Sequence, residues 1–161
     1  MSASYFVDSN IWLYAFMDAT TPKHAMADAL LTQSGIVLST QVVNEVCSNL
    51  IRKAGYTETE IQQTLQNLQT NYPILDVSFA SIQQASILRD KYRLSYWDSL
   101  ILATAMAANC SVVYSEDMQH GLKIGNLSII NPFTPSIAWF FKILQPCEGW
   151  VSYLNSPYIY F

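Results

Sequence analysis

Short apolar runs alternate along the chain with longer stretches of helical spacing. Tyr5-Phe6-Val7 is an apolar run stopped by Asp8-Ser9-Asn10, the pattern of a buried first strand and its exit. Ile11–Phe16 predicts the start of a helix, Pro22 interrupts, and His24–Leu31 resumes helical spacing through Ala25, Ala29 and Leu30. Gly35 opens a second strand at Ile36-Val37-Leu38. Ser39-Thr40 then offers an N-cap for a helix from Gln41 to Ala54, closed by Gly55. Thr57–Glu60 begins another helix, whose apolar positions Ile61, Leu65 and Leu68 leave an outer face rich in Gln and Asn. Pro73 ends that helix and Ile74–Val77 reads as a third strand. Ser78 caps a helix running through Ile82, Ala85, Leu88 and Arg89, and Leu100–Ala108 is apolar on nearly every side, which predicts a buried helix. Ser111–Tyr114 and Leu127–Ile130 complete the strands. Strands alternating with helices in this way imply an α/β fold with a parallel sheet and helices on both faces.

Length and composition narrow the picture. A chain of 161 residues is sized for one domain. It is 51% hydrophobic and only 12% charged, against about 25% charged in typical soluble domains. A surface this poor in charge is expected to be covered in part by self-association or a partner protein. The net charge of −4 leaves the monomer without the basic footprint of an autonomous nucleic-acid binder, although a bound metal can supply positive charge to a nuclease. Cys47, Cys110 and Cys147 form no CxxC pair, and two of them lie in patterns of buried helix. No signal-peptide pattern and no apolar run of membrane-spanning length is visible, so a reducing cytoplasm is the expected location and no membrane partner is expected. The segment 134–161 departs from the alternation: it holds eight aromatic residues and two charges, Lys142 and Glu148. It is expected to be an extension of unknown role, outside a domain spanning residues 1–133.

Candidate chemistry lies in four acids set in otherwise apolar surroundings: Asp8, Glu45, Asp98 and Asp117. A carboxylate beside a buried run costs several kcal/mol unless it is paired or binds a cation. Four such residues therefore suggest convergence on a site for a hard divalent ion, where phosphodiester cleavage is the commonest chemistry. Each acid also has a plainer explanation. Asp8 follows a strand, where ligands bind in open parallel sheets, but Asp-Ser-Asn is also good turn chemistry. Glu45 shares its helix face with Gln41, Ser48, Asn49 and Arg52, as a solvated surface would. Ser95-Tyr96-Trp97-Asp98 fits a capping box. Asp117 and its neighbour Glu116 both leave a strand, and spacing does not decide which one faces a shared crevice. Ser9, Asn10 and Ser115 are candidates for supporting hydrogen bonds; His120, without a second histidine nearby, reads as a surface or capping residue.

The stretches FVDSNIWLYA, STQVVNEVCSNL, LSYWDSLILATAMAANC and VVYSEDMQHG, in this order and spacing, resemble the PIN-domain nucleases, and within them the VapC-type toxins of bacterial toxin–antitoxin pairs. LSIINPF is similar to that family's last strand, and the resemblance covers roughly residues 4–133. It implies a three-layer α/β/α fold with a central parallel sheet. It also makes Asp8, Glu45, Asp98 and Asp117 the acidic metal site, supported by Asn10 and Ser115. The implied activity is that of a Mg²⁺- or Mn²⁺-dependent endoribonuclease that cleaves RNA with metal-activated water. Such a toxin forms homodimers and is silenced by a cognate antitoxin. Arg52, Lys53 and Lys123 are candidate contacts to the RNA backbone. The rival readings are a catalytically degenerate PIN module that binds RNA or protein, and a haloacid-dehalogenase-like phosphatase. The latter wants a second Asp two residues after its nucleophile, where this chain has Asn10.

Overall fold

The computed structural model describes residues 4–17 and 19–134. Six strands form one sheet: β1 (Tyr5–Val7), β2 (Ile36–Ser39), β3 (Ile74–Leu75), β4 (Val112–Tyr114), β5 (Lys123–Ile124) and β6 (Leu127–Ile130), in the order β3-β2-β1-β4-β6-β5. All pairings are parallel except β5 with β6. Phe6 lies opposite Val37 on one side and Val113 on the other, so β1 is the central strand. Buried on both faces, it is apolar throughout. The antiparallel β5 was not foreseen, because two residues between turns carry no periodicity.

The helices are α1 (Ser9–Met17), α2 (Pro22–Leu31), α3 (Thr40–Asn49), α4 (Glu58–Asn71), α5 (Phe79–Tyr92) and α6 (Tyr96–Ala107), with a π-helical turn over Leu50–Ala54 after α3. Pro22 begins α2 behind the Thr21 cap, since its missing N–H is no loss in a first turn. Ser39 caps α3, and Gly55, at φ 71, ends the π turn in the left-handed conformation that glycine adopts at no steric cost. Crossovers β1→β2→β3 step outward in one direction and β3→β4 steps back past them. With right-handed connections this puts α1–α4 on one face of the sheet and α5–α6 on the other. Accordingly α1 packs on α2 and α3, and α5 along α6.

The sheet core of Phe6, Val7, Leu38, Val113 and Ile129 is closed by Ile11, Trp12, Leu30 and Leu50 on one side and Ile101 and Leu102 on the other, all essentially inaccessible. Each such side chain stabilises the fold by roughly 1.5–3 kcal/mol. The prediction of a buried α6 holds, as every residue from Ser99 to Ala105 is buried. Two amphipathic faces are turned from their expected positions. Leu65 and Ile82 are about 40% exposed, while Thr64 and Ser81 are buried. Their hydroxyls are satisfied internally, Thr64 donating to Glu60 O at 2.9 Å and Ser81 Oγ lying 2.9 Å from Ser78 Oγ, so a polar residue stands on the inner face without the cost of an unpaired group. The third strand stops at Leu75 rather than Val77. Of the cysteines, Cys47 is half-buried and Cys110 buried, both as free thiols. Residues 135–161, including Cys147 and nearly all of the aromatic segment, lie outside the described residues. Among the described residues no helix is long and apolar enough to cross a membrane.

Candidate active site

The strand order reverses between β1 and β4, and in open α/β sheets the crevice beyond the carboxyl ends of such strands is where ligands bind. Asp8 leaves β1 and Ser115-Glu116-Asp117 leave β4 at that point. Thr40 opens α3 directly after β2, and α6, which runs back to feed β4, begins at the same edge. The topology thus carries residues from four separate elements to one edge of the sheet.

Asp8 is 4% exposed. Its Oδ1 accepts from the Ser9 backbone N–H at 2.7 Å, at the N-terminus of α1. Its Oδ2 accepts from Ser115 Oγ at 2.7 Å and lies 3.1 Å from Asn10 Nδ2. Burial nevertheless raises the Asp8 pKa from 3.8 to about 6, against the lowering effect of the Ser115 and Ser9 hydrogen bonds, and the negative charges of Glu45 and Asp98 push the same way as burial. Those two acids are therefore near enough to be felt electrostatically. Glu45 is reached through Ser9, whose Oγ donates to Oε2 at 2.7 Å, while Gln41 Nε2 donates to Oε1 at 2.9 Å. Glu45 is thus drawn inward across the fold, and the plainer account of its helix face as simply solvated does not describe it. At Asp98 only half of the expected capping box forms: Ser95 Oγ accepts from the Asp98 N–H at 3.1 Å, and the carboxylate has no hydrogen bond to the described residues.

The two adjacent acids after β4 part company. Asp117 Oδ2 lies 3.2 Å from Asn10 Nδ2, the same amide that meets Asp8. Glu116 turns away and pairs with Lys23, while Tyr14 donates to it at 2.6 Å. Burial opposes its ionisation, but the Lys23 and Tyr14 hydrogen bonds hold its pKa below the ordinary glutamate value. Lys23 also sits over the rings of Tyr14 and Phe133. The Glu116 backbone N–H donates to Asn10 Oδ1 at 3.3 Å, so Asn10 also anchors the turn from which Asp117 projects.

Two residues in this network carried little signal in the sequence. Gln41 is 8% exposed; its Nε2 donates both to Glu45 and, at 3.3 Å, to the Trp97 carbonyl of α6, while its Oε1 is buried with no partner among the described residues. Its place one turn before Glu45 was the only hint. Lys23 had none. The basic residues proposed from sequence stand apart from the acids. Arg52 and Lys53 lie in the exposed π turn beyond α3, with Arg52 donating to Asn49 at 2.9 Å, about 10 Å along the helix from Glu45. Lys123 is exposed on the edge strand β5. His120 is exposed and accepts the Asn131 N–H at 3.0 Å, a capping role.

The donor set suits a hard cation: Asp8, Glu45, Asp98 and Asp117 offer only oxygen, and a buried carboxylate with a raised pKa gains from positive charge. Among the described residues, however, no three of the His, Cys, Asp and Glu side chains stand close enough together to form a ready metal cage. The acids are linked through Ser9, Asn10 and Ser115.

A mostly parallel sheet carrying acids from four elements at its switch point defines an α/β domain suited to charged ligands. Residues 5–121 match the PIN domain family, and the chain belongs to that family. Solved structures share its fold. A toxin–antitoxin complex from Klebsiella pneumoniae superposes with a TM-score of 0.63 at 21% identity, over 82% of this chain and 98% of that one. VapC20 of Mycobacterium tuberculosis, a toxin that cleaves the sarcin–ricin loop, gives 0.58 at 22% identity over 71% and 90% of the two chains. VapBC2 of Rickettsia felis, bound to a DNA fragment from its promoter, gives 0.58 at 20% over 78% and 96%. No curated protein sequence is similar enough to count as a relative.

Proposed function

We propose that the chain is a divalent-metal-dependent endoribonuclease, the toxin of a VapC-type pair. The observation that carries this reading is the buried Asp8 carboxylate at the switch point, electrostatically joined to Glu45 and Asp98 and linked through Asn10 to Asp117. Asp8, Asp98 and Asp117 would hold Mg²⁺ or Mn²⁺, with Glu45 binding directly or through water. A bound cation there supplies Lewis acidity toward the phosphodiester and charge for the departing oxygen. The chain's own residues do the positioning. Ser115 and the Ser9 N–H fix the Asp8 carboxylate, Ser9 and Gln41 fix Glu45, and Asn10 sets the separation of Asp8 from Asp117. A cluster of acids repels the scissile phosphate, which makes the cation necessary for cleavage and makes a basic side chain of an antitoxin a natural inhibitor. Homodimer formation accords with a chain so poor in charge.

Digestion of total RNA with the full chain, in Mg²⁺ or Mn²⁺ and in EDTA, followed by mapping of the cut ends, tests the reading. Discrete cuts are expected with metal, none in EDTA, and none from a homogeneous Asp8→Asn preparation. Equal cutting by Asp8→Asn would refute the site. One observation favours a second reading, a PIN module that binds RNA without cutting it: the acids are spaced by hydrogen-bonding side chains rather than gathered round a point. RNA retention with no cuts in any metal would decide for it.

A further inference from the structure

Beside the acids, α6 opens with two aromatic residues that the core does not use. Tyr96 and Trp97 are 48% and 59% exposed, with ring centroids 5.0 Å apart and planes at 86°. Large aromatic surface left in water is costly, and it stands here one residue before Asp98. The last turn of α5 lies alongside and carries Arg89 and Lys91, with Arg93 as its C-cap, three of the chain's eight basic residues. The Arg89 guanidinium lies 5.2 Å from the Tyr96 ring centroid. None of the three makes an ion pair among the described residues, and Asp90 is the acid interspersed with them. Arg93 ends the helix in the left-handed region, at φ 57, a position where glycine is the unstrained choice. A chain with a net charge of −4 therefore gathers positive charge and exposed rings at the same edge of the sheet as its acids.

The two groups are mechanically joined. Gln41 Nε2 donates at once to Glu45 Oε1 and to the Trp97 carbonyl. The amide is held in this orientation although its buried Oε1 has no partner among the described residues. Gln41 is thus a positioning residue that sets the aromatic pair against the acidic cluster.

We propose that Tyr96 and Trp97, with Arg89 beside the Tyr96 ring and Lys91 and Arg93 further along the end of α5, form a stacking platform for one unpaired RNA base, placing the adjoining phosphate at the acidic cluster. The proposal rests on the reading of the chain as an RNA nuclease and adds what that nuclease selects: a nucleotide already out of the stack, in a loop or bulge. The chemistry fits that ligand. A base presents a π-face to an exposed ring, arginine beside the ring strengthens stacking, and the neighbouring cations meet the flanking phosphates.

The test uses full-length Asp8→Asn protein in EDTA, so that binding is read without cleavage. The probes are a fluorescein-labelled RNA hairpin with an unpaired loop and a blunt duplex of the same stem, measured by fluorescence anisotropy. The hairpin is expected to bind more tightly than the duplex. Trp97→Ala, at a largely exposed position, is expected to weaken hairpin binding by about 5- to 150-fold, the range for loss of one stacked base, with little effect on the duplex. Trp97→Phe is expected to retain most of the affinity. Unchanged hairpin affinity in Trp97→Ala, or no binding of either RNA, overturns the platform. So does a Trp97→Ala protein that loses self-association in sedimentation while keeping its RNA affinity, which would make the patch a contact between copies. Failure of the platform is separable from failure of the nuclease reading. Metal-dependent cutting by the wild type with no dependence of binding on Trp97 removes the platform alone. Loop-selective binding that depends on Trp97, in a protein that never cuts, keeps the platform and removes the nuclease.

Discussion

Replacing Asp8 by Asn turns the burial argument into a measurable pH dependence. Burial first, and the charges of Glu45 and Asp98 with it, raise the Asp8 pKa from 3.8 to about 6. An acid with a raised pKa in the folded state binds more protons folded than unfolded through the interval between the two values. Its ionisation therefore costs nothing below about pH 3.8, destabilises the fold progressively as pH rises from there to about 6, and adds a constant penalty above that. A rise of roughly 2 units corresponds to roughly 3 kcal/mol at neutral pH. Asn keeps the shape and removes the charge, but its N–H₂ must replace one accepting oxygen, facing either the Ser9 N–H or Asn10 Nδ2. Losing that contact costs about 1 kcal/mol. The net expectation at pH 7.5 without metal is that Asp8→Asn is the more stable protein by about 2 kcal/mol, or about 4–8 °C in Tm for a chain of this size. At pH 4 the advantage disappears. Circular-dichroism melts of both proteins in EDTA across pH 4–8 give the difference directly, and titrating groups remote from Asp8 cancel in the comparison. A difference in Tm that does not change with pH, or an Asn protein less stable at pH 7.5 than at pH 4 relative to wild type, refutes the account of Asp8 as a carboxylate ionised against its surroundings.

Metal should reverse that penalty. Mg²⁺ or Mn²⁺ at about 100 times its Kd raises wild-type stability by about 2.7 kcal/mol, and Asp8→Asn should lose most of the rise; equal rises in thermal melts of the two proteins would place the ion elsewhere. The neighbours Glu116 and Asp117 should separate in activity. Asp117→Asn is expected to lower RNA cleavage by roughly 10–100-fold, whereas Glu116→Gln, which loosens the outward pair with Lys23, should cost at most about 1 kcal/mol of stability and leave cleavage close to wild type. Comparable loss of cleavage in both variants would contradict the division of roles between them.

Much of the architecture was legible because it rests on local rules. Apolar runs of strand length alternating with helical spacing imply parallel pairing, and the caps at Ser39, Ser78 and Ser95 fall where the sequence placed them. Leu65 and Ile82 were misplaced for a reason periodicity does not see. Thr64 and Ser81 satisfy their own hydroxyls within the helix, so they can take the inner face and turn the larger residues outward. The two-residue β5 is made by pairing with β6 and has no pattern of its own.

The candidate site divides in the same way. The chain by itself determined that Asp8 and the Glu116-Asp117 pair leave strands and that Asp98 opens a helix, because strand ends and caps are written in neighbouring residues. Only the tertiary structure decided which of the adjacent acids meets Asn10 and, through it, Asp8. Successive side chains leaving a strand point in different directions, and the choice was made by Asn10 and Lys23, about a hundred positions away, drawing Asp117 and Glu116 to opposite sides. It alone also showed that Gln41 ties Glu45 to the backbone at Trp97. A hydrogen bond between two helices depends on where the sheet between them sets their ends.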